Sequence, residues 1–308
     1  MCSTAPAGSG VGVSVGSMAV DICLIQVPFM AGDGAHPAAE GPGRYLRAGA
    51  ERLLAGGGIR VTSRRAEVPA GTLVGIDVPS ASRAVNRQLR PLVQAAVAAR
   101  QLPVVLAGSC DVCMGVLAGM ERKRCGMVWI DAHADFNTPE STVSGFFPGM
   151  SAAVITGHCY ASYWGRIGDN TPVSEEAFVM FGVRELSPDA ERERLERSSI
   201  RVVRWHGGRP EGDVSQLLKA LRERVAEVYL HIDFDAFAPE VAPGVADDPV
   251  PGGLTFEDAE KIVRDTAERF RIRAVTLATY TPECDANEKT LRVGLRLIDV
   301  LAECAERL

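Results

Sequence analysis

From Val20 onward, short runs of β-branched and other apolar residues alternate with longer stretches whose apolar positions recur three or four apart. The first pattern suits buried strands and the second amphipathic helices. Strands are expected at residues 21–27, 59–62, 103–106, 126–130, 178–181, 201–204, 227–232 and 274–279. Helices are expected at residues 43–54, 82–100, 113–121, 188–197, 214–225, 255–270 and 288–307. Strands interleaved with helices build βαβ units around a parallel sheet, so the class is α/β. These elements take up nearly all of residues 20–308, with no linker-like stretch and no internal repeat, and one domain is expected there. Residues 1–19 are small and Gly/Ser-rich, without a basic segment followed by an apolar one. They read as a flexible leader rather than a signal peptide.

Three Gly/Pro-rich stretches, 31–42, 138–150 and 238–253, each follow an expected strand. Ligand sites of open parallel sheets lie beyond the carboxyl ends of the strands. The three loops should therefore face one crevice. Composition narrows the class further: 46% hydrophobic and 23% charged residues are the mixture of a soluble globular protein. A net charge of -6 provides no broad basic field for a phosphate backbone, which argues against nucleic acid. The arginines between Glu191 and Arg204 alternate with glutamates, as on a solvated helix face. Eight scattered cysteines without a secretory signal read as reduced thiols of a cytoplasmic protein. No apolar run reaches the roughly 18 residues of a membrane span.

Candidate chemistry sits at two strand ends. The apolar run before Asp131 leads into Asp131, His133 and Asp135, three metal-capable side chains at alternate positions, and a second apolar strand ends in Asp233 and Asp235. Alternation places each set on one side of an extended chain. Four carboxylates brought together in a partly buried site repel each other and must take up protons or cations. Oxygen-rich ligation with one imidazole favours Mn²⁺ over zinc. Two ions sharing carboxylates are suited to ionising a water for attack on a carbon centre. Helix or turn capping is the ordinary role of a strand-end Asp. Two such pairs, one containing a His, favour metal.

The run Asp131-Ala-His-Ala-Asp-Phe-Asn137 resembles the first signature of the arginase/agmatinase (ureohydrolase) family. His231-Ile-Asp-Phe-Asp-Ala-Phe-Ala-Pro-Glu-Val-Ala-Pro-Gly244, continued by Gly252-Gly-Leu-Thr255, resembles the second. The resemblance implies a single three-layer α/β/α sandwich with a mainly parallel eight-stranded sheet, two manganese ions, and trimers or hexamers. It assigns Asp131 and Asp233 as bridging ligands, with Asp135 on one ion and His133 and Asp235 on the other. Asp235 and Asp131 take the catalytic roles, with Asp235 relaying a proton. Asn137 and Ser144 are assigned to the α-carboxylate of an amino-acid-like substrate.

Several positions depart from the family pattern. Cys110 stands where the family's first His ligand falls, offering a softer thiolate to the first ion. Such a Cys, with Asp-Phe-Asn-Thr-Pro-Glu and Phe147-Pro-Gly-Met150, resembles the branch that hydrolyses N-hydroxyarginine in antibiotic biosynthesis. The proton-shuttling His falls at about Pro148, the guanidinium-gripping Glu near Thr279, and a later acidic residue at Ala238. Glu283 lies close enough in sequence to substitute, although a solvated turn is the commoner fate of such a residue. The expected activity is hydrolysis of a C–N bond in a linear guanidine or amidine. The alternatives are a formimino, ureido or amide substrate, and a binding or regulatory protein without catalysis.

Overall fold

The computed structural model describes residues 20–31, 36–56, 58–69, 77–120, 125–168, 171–246 and 249–304. The expected leader, part of the 31–42 loop and the last residues of the helix expected at 288–307 lie outside the described residues. Eight strands form one sheet: β1 (Ile22–Val27), β2 (Val61–Arg65), β3 (Leu102–Ala107), β4 (Cys125–Ile130), β5 (Phe178–Phe181), β6 (Arg201–Val203), β7 (Glu227–Asp233) and β8 (Arg271–Ala278). Their order across the sheet is β2-β1-β3-β8-β7-β4-β5-β6, and every neighbouring pair is parallel.

The central strands are apolar on both sides, as a sheet covered on both faces requires. Successive residues alternate between two separate cores: Ile22, Leu24, Val104, Leu106, Val128 and Ile130 belong to one, and Cys23, Ile25, Val105, Met127 and Trp129 to the other. Helices α1 (Gly41–Arg47), α2 (Ala50–Gly56), α8 (Val214–Arg222), α9 (Phe256–Arg269) and α10 (Lys289–Cys304) cover the first face. Helices α3 (Val78–Ala98), α4 (Cys113–Gly119), α5 (Ser151–Ile155), α6 (Ala161–Trp164) and α7 (Asp189–Arg197) cover the second. The result is the three-layer α/β/α sandwich.

Differences from the expected elements have local causes. The helix expected at 43–54 is split at Gly49, whose φ of 96° belongs to the left-handed region that glycine enters at low cost. Strand β2 lies two residues later than expected. It is an edge strand with polar residues, paired to β1 from Ile22↔Val61 to Gln26↔Arg65. Charged side chains on an edge also discourage further pairing. Helix α3 begins before residue 82, because the Asp77 side chain accepts a hydrogen bond from Ser80 N at 3.0 Å and Pro79 occupies the first turn.

The C-terminal helix is packed too closely for a side chain at one position. A Cβ on Gly294 would lie 2.3 Å from the Tyr45 hydroxyl, and Tyr45 is buried against Phe234 and Tyr280. Gly294→Ala is therefore expected to destabilise the fold by about 1–3 kcal/mol, as overpacking does. A thermal melt should show a lowered midpoint with unchanged metal content; an unchanged midpoint would refute the close contact.

Candidate metal centre

Five adjacent strands deliver chemistry at their carboxyl ends. Cys110 follows β3, Thr279 follows β8, Asp233 and Asp235 end or follow β7, Asp131 to Asp135 follow β4, and the segment around Glu185 follows β5. The chain leaves β3 for β4 across two strands inserted later, so the site occupies a reversal of strand order, where crevices form in open sheets. The β4/β7 register, Ile130↔Ile232, brings Asp131 beside Asp233.

The carboxylates are buried and held by hydrogen bonds. Asp131 accepts from Trp129 Nε1 at 2.9 Å and from His133 N at 2.7 Å. Asp235 Oδ1 accepts from Ala132 N at 3.0 Å, and its Oδ2 lies 2.9 Å from His133 Nδ1. Asp233 Oδ1 accepts from Asp235 N at 2.8 Å and from the Thr279 hydroxyl, while its Oδ2 accepts from Cys110 Sγ at 2.8 Å. Two residues here have left-handed backbones, Asp135 at φ 49° and Thr279 at φ 69°. For a β-branched residue such as Thr279 this conformation is strained by roughly 1–3 kcal/mol. Its bond to Asp233 is part of what holds it there.

Electrostatics push these groups apart. Burial, followed by the Asp235 charge, lifts Asp131 to about 7. Burial and then Asp235 and Asp131 raise Asp233 well above the usual carboxylate range, and burial and then Asp131 do the same to Asp135. Asp235 runs the other way: burial would raise it, but the His133 charge and hydrogen bonds overcome this and hold it at about 2. Burial opposes charge on His133, yet Asp235 and Asp131 raise it well above its ordinary value. Burial, then the charges of Asp233, Asp135 and Asp131, push the Cys110 thiol up.

This donor set fits divalent metal. Ligand atoms of Cys110, Asp131 and Asp233 lie within 4.8 Å of one another, as do those of Asp131, His133 and Asp235, so Asp131 belongs to both groups. Asp135 joins neither group, but its buried Oδ2 has no hydrogen-bond partner among the described residues. A buried acceptor of this kind requires a proton donor or a cation.

A cavity of about 470 Å³ opens beside the cluster, lined in part by His133, Asp135, Asn137, Ser144, Glu185 and Glu191. Asn137 Nδ2 donates to Ser187 O at 3.0 Å and its Oδ1 accepts from Ser141 Oγ, which leaves one amide N–H for a ligand. Thr279 is buried against Asp233 and is not among the lining residues. Glu283 is exposed on a short turn and does not line the cavity. Pro148 is buried in another short turn and offers no proton. His158 pairs instead with Glu175 at 2.6 Å, outside this cavity.

Of the three loops expected around one crevice, only 138–150 lines it among the described residues. The opposite wall is formed by Glu185, Ser187, Pro188 and Glu191. Glu191 corrects the reading of the 191–204 stretch as a solvated face. It is buried, accepting from Phe136 N at 2.9 Å and Ser187 N at 3.1 Å, and so ties the Asn137 loop to α7. Arg184 N and Glu185 N both donate to Ala132 O, fixing that wall to the end of β4. The strand-end rule that located the aspartates would have found this wall too, had it been applied after β5.

The arginase-family model matches residues 20–303. Arginase from Bacillus caldovelox is 31% identical over 222 residues, covering 70% of this chain and 73% of that protein. Its solved structure matches with a TM-score of 0.84 at 27% identity, over 92% of this chain and 98% of that one. The proclavaminate amidino hydrolase of Streptomyces clavuligerus shares the fold, with a TM-score of 0.68 at 18% identity over 95% of this chain and 94% of that one. With both aspartate strand ends converging as described, a match of this extent makes the chain a member of the arginase family.

Proposed function

We propose that the protein is a dinuclear-metal amidinohydrolase that cleaves a C–N bond of a linear guanidine, an arginine derivative such as N-hydroxyarginine, releasing a urea-type product and an amine. The observation that carries this reading is the joint placement of Cys110, Asp131, His133, Asp233 and Asp235 beside a cavity walled by Asn137 and Ser144. Two divalent cations, manganese by the oxygen-rich donor set, would supply Lewis acidity and a nucleophile at neutral pH.

Asp131 would be shared between the ions, with Cys110 and Asp135 toward one and His133 and Asp235 toward the other; Asp233, grouped with Cys110 and Asp131 only, would sit toward the first ion instead of bridging as the resemblance implies. On loading, Cys110 would give up the Sγ proton that it donates to Asp233 Oδ2 in the metal-free chain. Asp235, whose Oδ2 lies 2.9 Å from His133 Nδ1, would relay the proton released during attack. Asn137, with its spare amide N–H, and Ser144 would orient the substrate's α-carboxylate. The half-exposed Glu185 would draw in its cationic part. No helix among the described residues is long and apolar enough to cross a membrane. The enzyme would act in the cytoplasm on a small molecule and, on the family resemblance, would assemble as a homotrimer or homohexamer.

Incubation of Mn²⁺-loaded protein with arginine, N-hydroxyarginine and agmatine tests the proposal. A urea-type product is expected, with N-hydroxyarginine the best substrate, and no product from any of the three would overturn it. Thr279 favours a second reading. Its hydroxyl is committed to Asp233, so no carboxylate stands at that position to grip a guanidinium. Turnover of a formimino, ureido or amide compound, with none of the guanidines, would select that reading.

A further inference from the structure

The segment 183–188 separates two cavities. Glu185, Ser187 and Pro188 line the one described above, whereas Val183, Arg184 and Leu186 line a second, of about 320 Å³. Its other walls include Arg192 from α7, and Arg204, Trp205 and Glu211 from the short hairpin after β6.

Nearly every polar group here is a donor. Arg184 spends both terminal nitrogens on carbonyls: Nη1 on Gly182 and Ala236, and Nη2 on Asp235 at 2.7 Å, Val250 at 3.0 Å and Phe237 at 3.2 Å. Its Nε is buried and has no hydrogen-bond partner among the described residues, and Trp205 Nε1, on a residue 2% exposed, is in the same condition. Both atoms can only donate. Buried donors are almost always paired, so these two need acceptors that the described residues do not provide. Arg192 pairs with Asp189, and Arg204 reaches Glu196 only at 3.8 Å; neither carboxylate lines the cavity. Three arginines thus line the cavity with one carboxylate, Glu211, and with His206. Forked guanidinium donors match the paired oxygens of carboxylate and phosphate.

We propose that this second cavity is a binding site for a small oxyanion, a phosphate or a carboxylate compound. The site stands independently of the reaction proposed above. Because Arg184 also holds the Asp235 carbonyl, it lies one side chain from the metal centre. Titration of the full-length protein with inorganic phosphate or succinate, at ionic strength held constant with sodium chloride, tests the site through tryptophan fluorescence and thermal shift. At least one anion is expected to give a saturable change, and the stronger of the two identifies the source of the oxyanion. Binding should weaken roughly tenfold or more in Arg192→Ala/Arg204→Ala. Trp205→Phe, which keeps an aromatic ring and removes the donor, should weaken the thermal shift, and the exposed Arg209→Ala should leave it unchanged. The proposal is overturned by no saturable response to either anion, or by an equal response in the double variant and Trp205→Phe.

Discussion

Asp131→Asn is expected to empty both metal positions at once and to abolish hydrolysis. Asp131 is the one side chain common to both ligand groups, so its loss removes a donor from each. Changing a residue that merely orients a metal ligand costs about 10–100-fold in affinity or activity. Loss of a shared ligand should exceed that range, leaving less than half an ion per chain after dialysis against metal-free buffer. The fold should survive. In the metal-free chain burial and Asp235 already disfavour the Asp131 carboxylate, and an asparagine oxygen can still accept from His133 N, while its amide nitrogen would face the Trp129 Nε1 donor. The variant without metal should therefore stay folded at pH 7, within about 1–3 kcal/mol of the metal-free parent. Retention of two ions and activity by Asp131→Asn would remove Asp131 from the centre.

Without metal, the unfolding midpoint is expected to fall as pH rises from about 4 to about 7. Asp131 titrates near 3.8 when unfolded and at about 7 when folded. Across that interval the folded chain carries the extra proton, so stability declines with rising pH. Below the interval both states are protonated and above it both are ionised, and this group then adds no slope. The span corresponds to about 4 kcal/mol as an upper bound for Asp131 alone. Asp135 and Asp233, raised in the same direction, steepen the fall. His133 extends it: a folded pKa above 6.5 gives stability that is complete below 6.5 and lost at higher pH. Asp235, held at about 2, matters only as pH drops through 3.8 toward 2, outside this window. Metal competes with these protons, so Mn²⁺-loaded protein should show a flat or rising midpoint over the same range. Melts with EDTA and with Mn²⁺ at four pH values check this. A metal-free midpoint that rises with pH would contradict the reading of the cluster as crowded carboxylates.

Much of this architecture was legible in the chain itself. The apolar runs ending in Asp131 and Asp233 are strands because β4 and β7 are central and covered on both faces, so their composition carries the signal. The edge strand β2 is polar, and its pairing with β1 leaves no such trace. Helices α5 and α6, of five and four residues, are too short to be stable alone and exist by packing against α4 and α3, which local sequence does not report. The aspartate cluster was visible because strand-end Asp pairs are unusual. The Glu185–Glu191 wall was not. Glu191 sits in a run of arginines and glutamates, and only the Phe136 and Ser187 amides that it satisfies distinguish it from its solvated neighbours. Thr279 matched a substrate-binding position in the family, but a hydroxyl is short enough to turn back onto Asp233, and it does so.

The metal content of the wild-type protein, reconstituted with Mn²⁺, dialysed and measured by inductively coupled plasma mass spectrometry, is the most direct test of the centre. Two ions per chain are expected from the two overlapping groups that share Asp131. Less than one divalent ion per chain would contradict a dinuclear site and leave the converging carboxylates without a catalytic role.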